Sequence, residues 1–267
     1  MNASELFQAG DLQAAISAAT LELKSKPTDV SLRLFLAELL WFNGQIDRVE
    51  KQLETISLQT TQAAMTLALY RQILRGETAR EQVLREGRTP EVVADLPADA
   101  RCMLEALLAL RLQQQQDAGR LLAAAESQRP NLRGVCNGRE FDEFRDLDDR
   151  VASVLEVITS TGKYYWVPWQ NIESLEMEPP KVPLDLLYRR TQIEVNGGPS
   201  GEVYIPTRYV TNADETLDDK LLLGRATDWI GEEQGLVQGR GLRTVLVGDE
   251  DMTIMEIDTL SFTKAEA

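Results

Sequence analysis

From the first residues to about position 128, apolar side chains recur at three- and four-residue spacing and alanine and leucine dominate. That period predicts helices. Beyond 135 the period shortens toward two and predicts strands. Residues 153–160 read as a strand, 161–162 as a turn and 163–168 as a second strand, which makes a hairpin. A short helical turn is expected over 169–174. Residues 193–195 run into a turn at 196–198, and 201–209 read as a strand whose Pro206 predicts an edge or a bulge. Stretches 242–247 and 252–262 flank Gly248-Asp249-Glu250-Asp251, a hairpin signal. Between the two textures lies Arg129-Pro130-Asn131-Leu132-Arg133-Gly134, a boundary by composition. The fold class expected is therefore α+β in two parts. A helical domain spans 1–128, and a small, mostly antiparallel, barrel-like β domain with short helices spans 135–267.

The helical part repeats. Gly10-Asp11-Leu12-Gln13-Ala14-Ala15 is echoed by Gly44-Gln45-Ile46-Asp47-Arg48-Val49, with the two glycines 34 residues apart. This is the period of a tetratricopeptide (TPR) array. A glycine lets the chain turn tightly between antiparallel helices, and Pro27 stops the second helix. Trp41 and Phe42 join Leu36 and Leu40 in a bulky stripe suited to packing between repeats. The third unit is degenerate, with helices expected over 61–74 and 78–86. Two more follow at 104–112 and 117–127, with starts near Asp99 and Asp117. So short an array leaves an open edge that needs a cap, and the C-terminal half is the expected source.

Composition narrows the chemistry. The chain of 267 residues has no histidine, which removes Ser-His-Asp and Cys-His catalysis and histidine-containing zinc sites. Cys102 and Cys136 form no metal or redox motif. Net charge is −15, with 17 acidic and 15 basic residues in 1–134 but 26 acidic and 13 basic in 135–267. Nucleic acid needs a basic footprint, and anionic membranes are repelled by the same field. The charge fits a basic protein partner, or solubility alone. The N-terminus lacks the pattern of a secretory signal and no apolar run is long enough to span a membrane, so a cytoplasmic location is expected.

Three clusters stand out. Residues 139–150 mix Arg139, Arg145 and Arg150 with Asp142, Asp146, Asp148 and Asp149. Structural ion pairs, partner contact and carboxylate catalysis are the readings, and Phe141, Phe144 and Leu147 recur at helical spacing. Tyr164, Tyr165, Trp166 and Trp169 form an aromatic cluster in which one face is expected to be core and the other a recognition surface. Arg225, Asp228 and Trp229 can form a stacked, charge-paired unit or a structural corner. Gly235, Gly239 and Gly241 lie nearby without the strand and helix of a dinucleotide fingerprint. The candidate partner-binding residues are Trp166, Trp169, Arg225, Asp228 and Trp229. No catalytic, cofactor or metal residue and no small-molecule substrate is expected.

The strings Phe144-Arg145-Asp146-Leu147-Asp148-Asp149, Gly162-Lys163-Tyr164-Tyr165-Trp166-Val167-Pro168, Asp185-Leu186-Leu187-Tyr188-Arg189-Arg190, Gly201-Glu202-Val203-Tyr204-Ile205-Pro206 and Leu223-Gly224-Arg225-Ala226-Thr227-Asp228-Trp229, ending in Gly239-Arg240-Gly241-Leu242-Arg243, occur in this order. Together they resemble the ImpE family, also called SciE-type or TagJ, accessory proteins of bacterial type VI secretion. Tyr188 stands where that pattern leads one to expect tryptophan. The resemblance covers essentially the whole chain. It implies a non-enzymatic adaptor that binds the small sheath subunit, TssB, and links the sheath to the recycling ATPase, ClpV. A generic TPR-type scaffold for another cytoplasmic complex is the alternative, and a hydrolase using 146–149 a third reading.

Overall fold

The computed structural model describes residues 1–212, 214–231 and 236–263; Gly235 and the end of the expected second domain lie outside them. Helices α1 (Ala3–Ala9), α2 (Leu12–Ser25), α3 (Val30–Phe42) and α4 (Ile46–Gln59) form two antiparallel hairpins. Gly10 and Gly44 occupy the intra-hairpin turns with φ of +89° and +68°, where a side chain would be strained. Asp11 and Asp29 cap α2 and α3, each accepting the N–H three residues on at 2.9 Å. Small residues Ala15, Ala19 and Ala37 are fully buried between the helices.

The third unit departs from expectation. Residues 61–86 do not make two helices. A single helix, α5 (Ala64–Glu81), runs on into a π-helical turn over Gln82–Glu86. Gly76 lies inside α5 and does not break it, because it meets the sheet: a side chain there would run into Ile158. Helices α6 (Ala98–Arg111) and α7 (Gln115–Gln128) close the helical half.

The rest is largely antiparallel sheet. One nine-stranded sheet comprises β1 (Glu91–Val92), β6 (Tyr164–Pro168), β5 (Val154–Thr159), β9 (Ser200–Pro206), β8 (Tyr188–Val195), β7 (Ile172–Met177), β14 (Thr259–Phe262), β2 (Gly134–Cys136) and β3 (Arg139–Phe141), in that order. Among the described strands, only β1, borrowed from the helical half, pairs in parallel. A three-stranded sheet joins β13 (Glu250–Thr253), β12 (Thr244–Val247) and β4 (Phe144–Asp146), and a ribbon pairs β10 (Thr227–Ile230) with β11 (Gln238–Gly241). The expected barrel does not close: the outermost strands β1 and β3 are not paired with each other.

Several local readings are corrected. Phe141 and Phe144 lie on strands, not on a helical turn, and both are buried. The turn at Trp169 is one 3-10 turn, Trp169–Asn171, after which β7 begins. Residues 252–262 divide into two strands. Strand β9 is interior, between β5 and β8, despite Pro206. Its pairing with β5 is confined to Val203 and Tyr204, so the missing N–H interrupts nothing there.

Two apolar cores result. One lies within the β half, around Phe144, Trp169, Ile205 and Leu260. The other crosses the boundary, joining Leu12, Trp41, Phe42 and Ile73 of the helices to Ile158, Trp166, Leu184, Tyr188 and Leu223 of the β half. The β half thus covers the open edge of the array. Gly76→Leu should force a β-branched, fully buried Ile158 to move and lower unfolding stability by about 2 kcal/mol. Gly119→Ala, with open space around it, should be neutral or stabilising. Urea denaturation of the two variants checks the contrast.

Candidate recognition cleft at the seam

The boundary between the halves is polar at its centre. Arg80, on α5, is 3 % exposed and donates to both oxygens of Glu156 on β5, at 3.0 and 3.2 Å. Glu156 also accepts from the Arg243 guanidinium and the Tyr164 hydroxyl. Tyr164 in turn accepts the Trp166 indole N–H at 2.7 Å. Burial opposes charge on Glu156, but Arg80 and Arg243 outweigh it and bring the carboxyl down to about 2. Arg80 Nη2 continues across the seam to the Arg208 carbonyl at 2.7 Å.

The acidic cluster belongs to the same network. Asp148 is fully buried and holds Arg150 through two oxygens, at 2.6 and 2.9 Å, while accepting the Gly239 N–H at 2.9 Å. Asp149 pairs with Arg145 and accepts the Val237 N–H. Asp146 accepts from the Tyr209 hydroxyl at 2.9 Å and lies 3.5 Å from Arg243 Nε. Burial pushes its carboxyl up to about 7 against the pull of Arg243. Arg139 lies exposed on β3, outside the network. Asp146, Asp148 and Asp149 thus each hold structural partners, with Asp146 and Asp148 shielded from solvent.

Above this network opens a cavity of about 410 Å³, within the range of ligand sites. Trp41, Phe42 and Tyr188 supply its aromatic wall, and Glu77, Glu81, Arg85 and Arg208 its charges. Trp41 donates its indole N–H to the Tyr188 hydroxyl at 3.2 Å. The tryptophan expected at 188 would have no acceptor to offer, so the tyrosine makes a bond that the expected residue could not. Arg85 Nε reaches the Thr211 carbonyl at 2.7 Å. Glu81 is raised from the ordinary carboxylate range by burial and by neighbouring Glu77.

The five candidate recognition residues separate. Trp166 and Trp169 are 0 % and 1 % exposed, so neither offers a surface. Trp166 is core at the seam, and Trp169 packs edge-on against Phe144 at 4.7 Å. Arg225 is exposed at its edge but bound at its tip, donating to the Phe7 and Gln8 carbonyls at 2.7 and 2.9 Å over the Phe7 ring. Asp228 and Trp229, on β10, remain accessible. Trp229 half-packs on Tyr209 at 5.8 Å, and Asp228 pairs with Arg240 at 3.4 Å. Arg240 also pairs with Glu215 of the cavity wall, which ties the ribbon to the cleft. Sequence reasoning missed Arg80, Glu156, Arg208 and Arg243. Arg243 lies in a quoted string, yet nothing local marks its partners.

Comparison with known proteins agrees with the two-part architecture. The tetratricopeptide-repeat model matches residues 6–73 and the model for ImpE protein matches residues 138–261. The chain is 30 % identical to the type VI secretion system accessory component TagJ of Pseudomonas aeruginosa, over all of this chain and 93 % of that protein. A crystal structure of a Vibrio parahaemolyticus protein, 25 % identical, superposes with a TM-score of 0.90 over 98 % of each chain.

Two titrations follow from the seam. Glu156 is held below its ordinary value of 4.5, so its stabilisation is complete above that pH and is lost as pH falls toward about 2. Glu156→Gln should cost about 3–5 kcal/mol at pH 7, because two buried arginines lose the carboxylate they share and keep only Glu77 and Asp146 respectively. Glu38, on α3, is 4 % exposed and bonded by the Tyr70 hydroxyl at 2.7 Å. Burial raises it to about 7. Its contribution is complete below pH 4.5 and is lost as pH rises through about 7, with Asp146 acting in the same direction. Glu38→Gln should therefore shrink the loss of stability between pH 5 and pH 8, measured by urea unfolding at both.

Proposed function

The chain belongs to the ImpE family, and from that premise we propose that it is a non-enzymatic accessory protein of type VI secretion. In this reading it works in the cytoplasm, binds the small sheath subunit and connects the sheath to the ClpV-type ATPase. The observation that carries the reading is the identity with TagJ along the full chain, which includes both the helical and the β half. No described helix is long and apolar enough to cross a membrane, which agrees with a site of action among soluble components.

The seam cleft with the β10–β11 ribbon at its rim is the proposed docking surface. It combines an aromatic wall, charges of both signs and the accessible Trp229. Half-buried aromatics flanked by charge are the usual anchors of protein recognition. A partner helix laid against the rim would place one or two side chains in the cavity.

Isothermal titration calorimetry against the N-terminal helix of the sheath small subunit tests this. Saturable binding is expected, weakened about tenfold by Trp229→Ala and by charge reversal at Asp228. Binding that is absent, or untouched by both changes, removes the cleft from the reading. If intact sheath also fails to retain the protein, the adaptor role goes with it.

A further inference from the structure

The β half meets α1, α3 and α5, the first helix of each unit. Three and two residues before the turn glycines Gly10 and Gly44 lie Phe7, in the last turn of α1, and Phe42, the last residue of α3. Each carries an arginine from the β half. Arg225 lies 6.0 Å over the Phe7 ring and bonds the Phe7 carbonyl, and Arg208 lies 5.7 Å over the Phe42 ring and bonds the Phe42 carbonyl at 3.1 Å. Positive charge at a helix C-terminus is favourable, and both contacts fall on carbonyls of the last turn, the Phe7 carbonyl also receiving the Gly10 N–H at 3.1 Å. One step further along the array, α5 lies directly on β5 and β6, with Gly76 against Ile158 and Arg80 bound to Glu156. The next helix begins under the same hand: Asp219, from the β half, accepts the Leu12 N–H of α2 at 2.7 Å.

A repeat array ordinarily offers a continuous face, built from one helix of each hairpin, to its ligand. Here α1, α3 and α5 are each engaged by the chain's own β half, α1 and α3 near their C-terminal ends through Arg225 and Arg208, and α5 along its length through Gly76 and Arg80. We infer that the β half is the resident ligand of the helical array, so that the two halves act as one body and partner recognition takes place with the seam closed. The array then serves as a scaffold, and a partner meets only what the closed seam leaves open. Where the partner is concerned, this rests on the reading given under Proposed function.

A disulfide across the seam tests it. A Cβ built at Gly76 lies 3.3 Å from that of Ile158, near the separation a disulfide spans. Gly76→Cys with Ile158→Cys, in a background with Cys102→Ser and Cys136→Ala, should cross-link quantitatively. Oxidised and reduced protein should bind the sheath-subunit helix with Kd values within about twofold. Binding lost on oxidation and restored by reduction would show that the halves must part, and would overturn the inference. A second measurement does not depend on that partner. In the wild-type protein, amide exchange in α3 and α5 should proceed through the same opening as exchange in β5 and β9. Should α3 and α5 open at lower free energy while β5 and β9 stay protected, the resident-ligand idea fails even if the helix binds. Absence of helix binding in both redox states, with shared protection intact, removes the sheath reading alone.

Discussion

Glu156 is the point on which the rest of the molecule is hung. It is a carboxylate inside a strand, 1 % exposed, and its charge is tolerable only because two arginines arrive from opposite directions. Arg80 comes from the helical half and Arg243 from the start of β12. A buried ion pair of this kind adds little net stability over an apolar core, since desolvation consumes much of the attraction. Its effect is selectivity: only one placement of α5 on β5 gives every charge a partner. Misplacing the halves by a turn of helix would part the buried Arg80 guanidinium from Glu156. Apolar burial supplies the affinity between the halves, and the charges fix the register.

The same logic extends outward from the seam. Arg208 and Arg225 meet the C-terminal ends of two equivalent helices, α3 and α1, although they are unrelated in local sequence. What they share is a target, the carbonyl-rich, aromatic end of the first helix of each hairpin. Duplicated helices present duplicated ends, so a second domain that covers one end gains by covering the other in the same way. This is why an array with few repeats persists here without a dedicated capping helix.

Much of this was legible from residues alone, and the boundary of legibility is physical. The 34-residue step, the glycines of the turns and the hairpin around Gly162 are local features, set by backbone conformation and hydrophobic period. The strand holding Tyr164 and Trp166 was legible too, since alternation places both on one side. Which side faces the core is not local, and Trp166 proved to face the helices. Trp169 follows Pro168 in a turn, where neither period applies, so its burial against Phe144 had no sequence signal. Gly76 was hardest of all: a glycine inside a helix reads as a break until the sheet it accommodates is present. The bonds of Arg208 and Arg225 span 166 and 218 residues, and no spacing rule reaches that far.

The seam also changes how the net charge of −15 is presented. Arg150, Arg189 and Arg243 of the β half are buried, and Arg208 is largely so. Many acids of the same half, among them Glu140, Asp142, Asp228, Asp249, Glu250 and Asp251, are exposed. Buried cations paired with buried anions contribute little field at a distance, whereas exposed carboxylates act over a Debye length of about 8 Å in physiological salt. A partner approaching the β half therefore meets more exposed carboxylates than exposed guanidinium groups, of which Arg139 and Arg225 are two. That field favours encounter with basic segments and disfavours nucleic acid and anionic lipid. In the docking proposed above, long-range charge would select the class of partner, and the short-range mixture of Glu77, Glu81, Arg85 and Arg208 in the cleft would decide which member of that class fits.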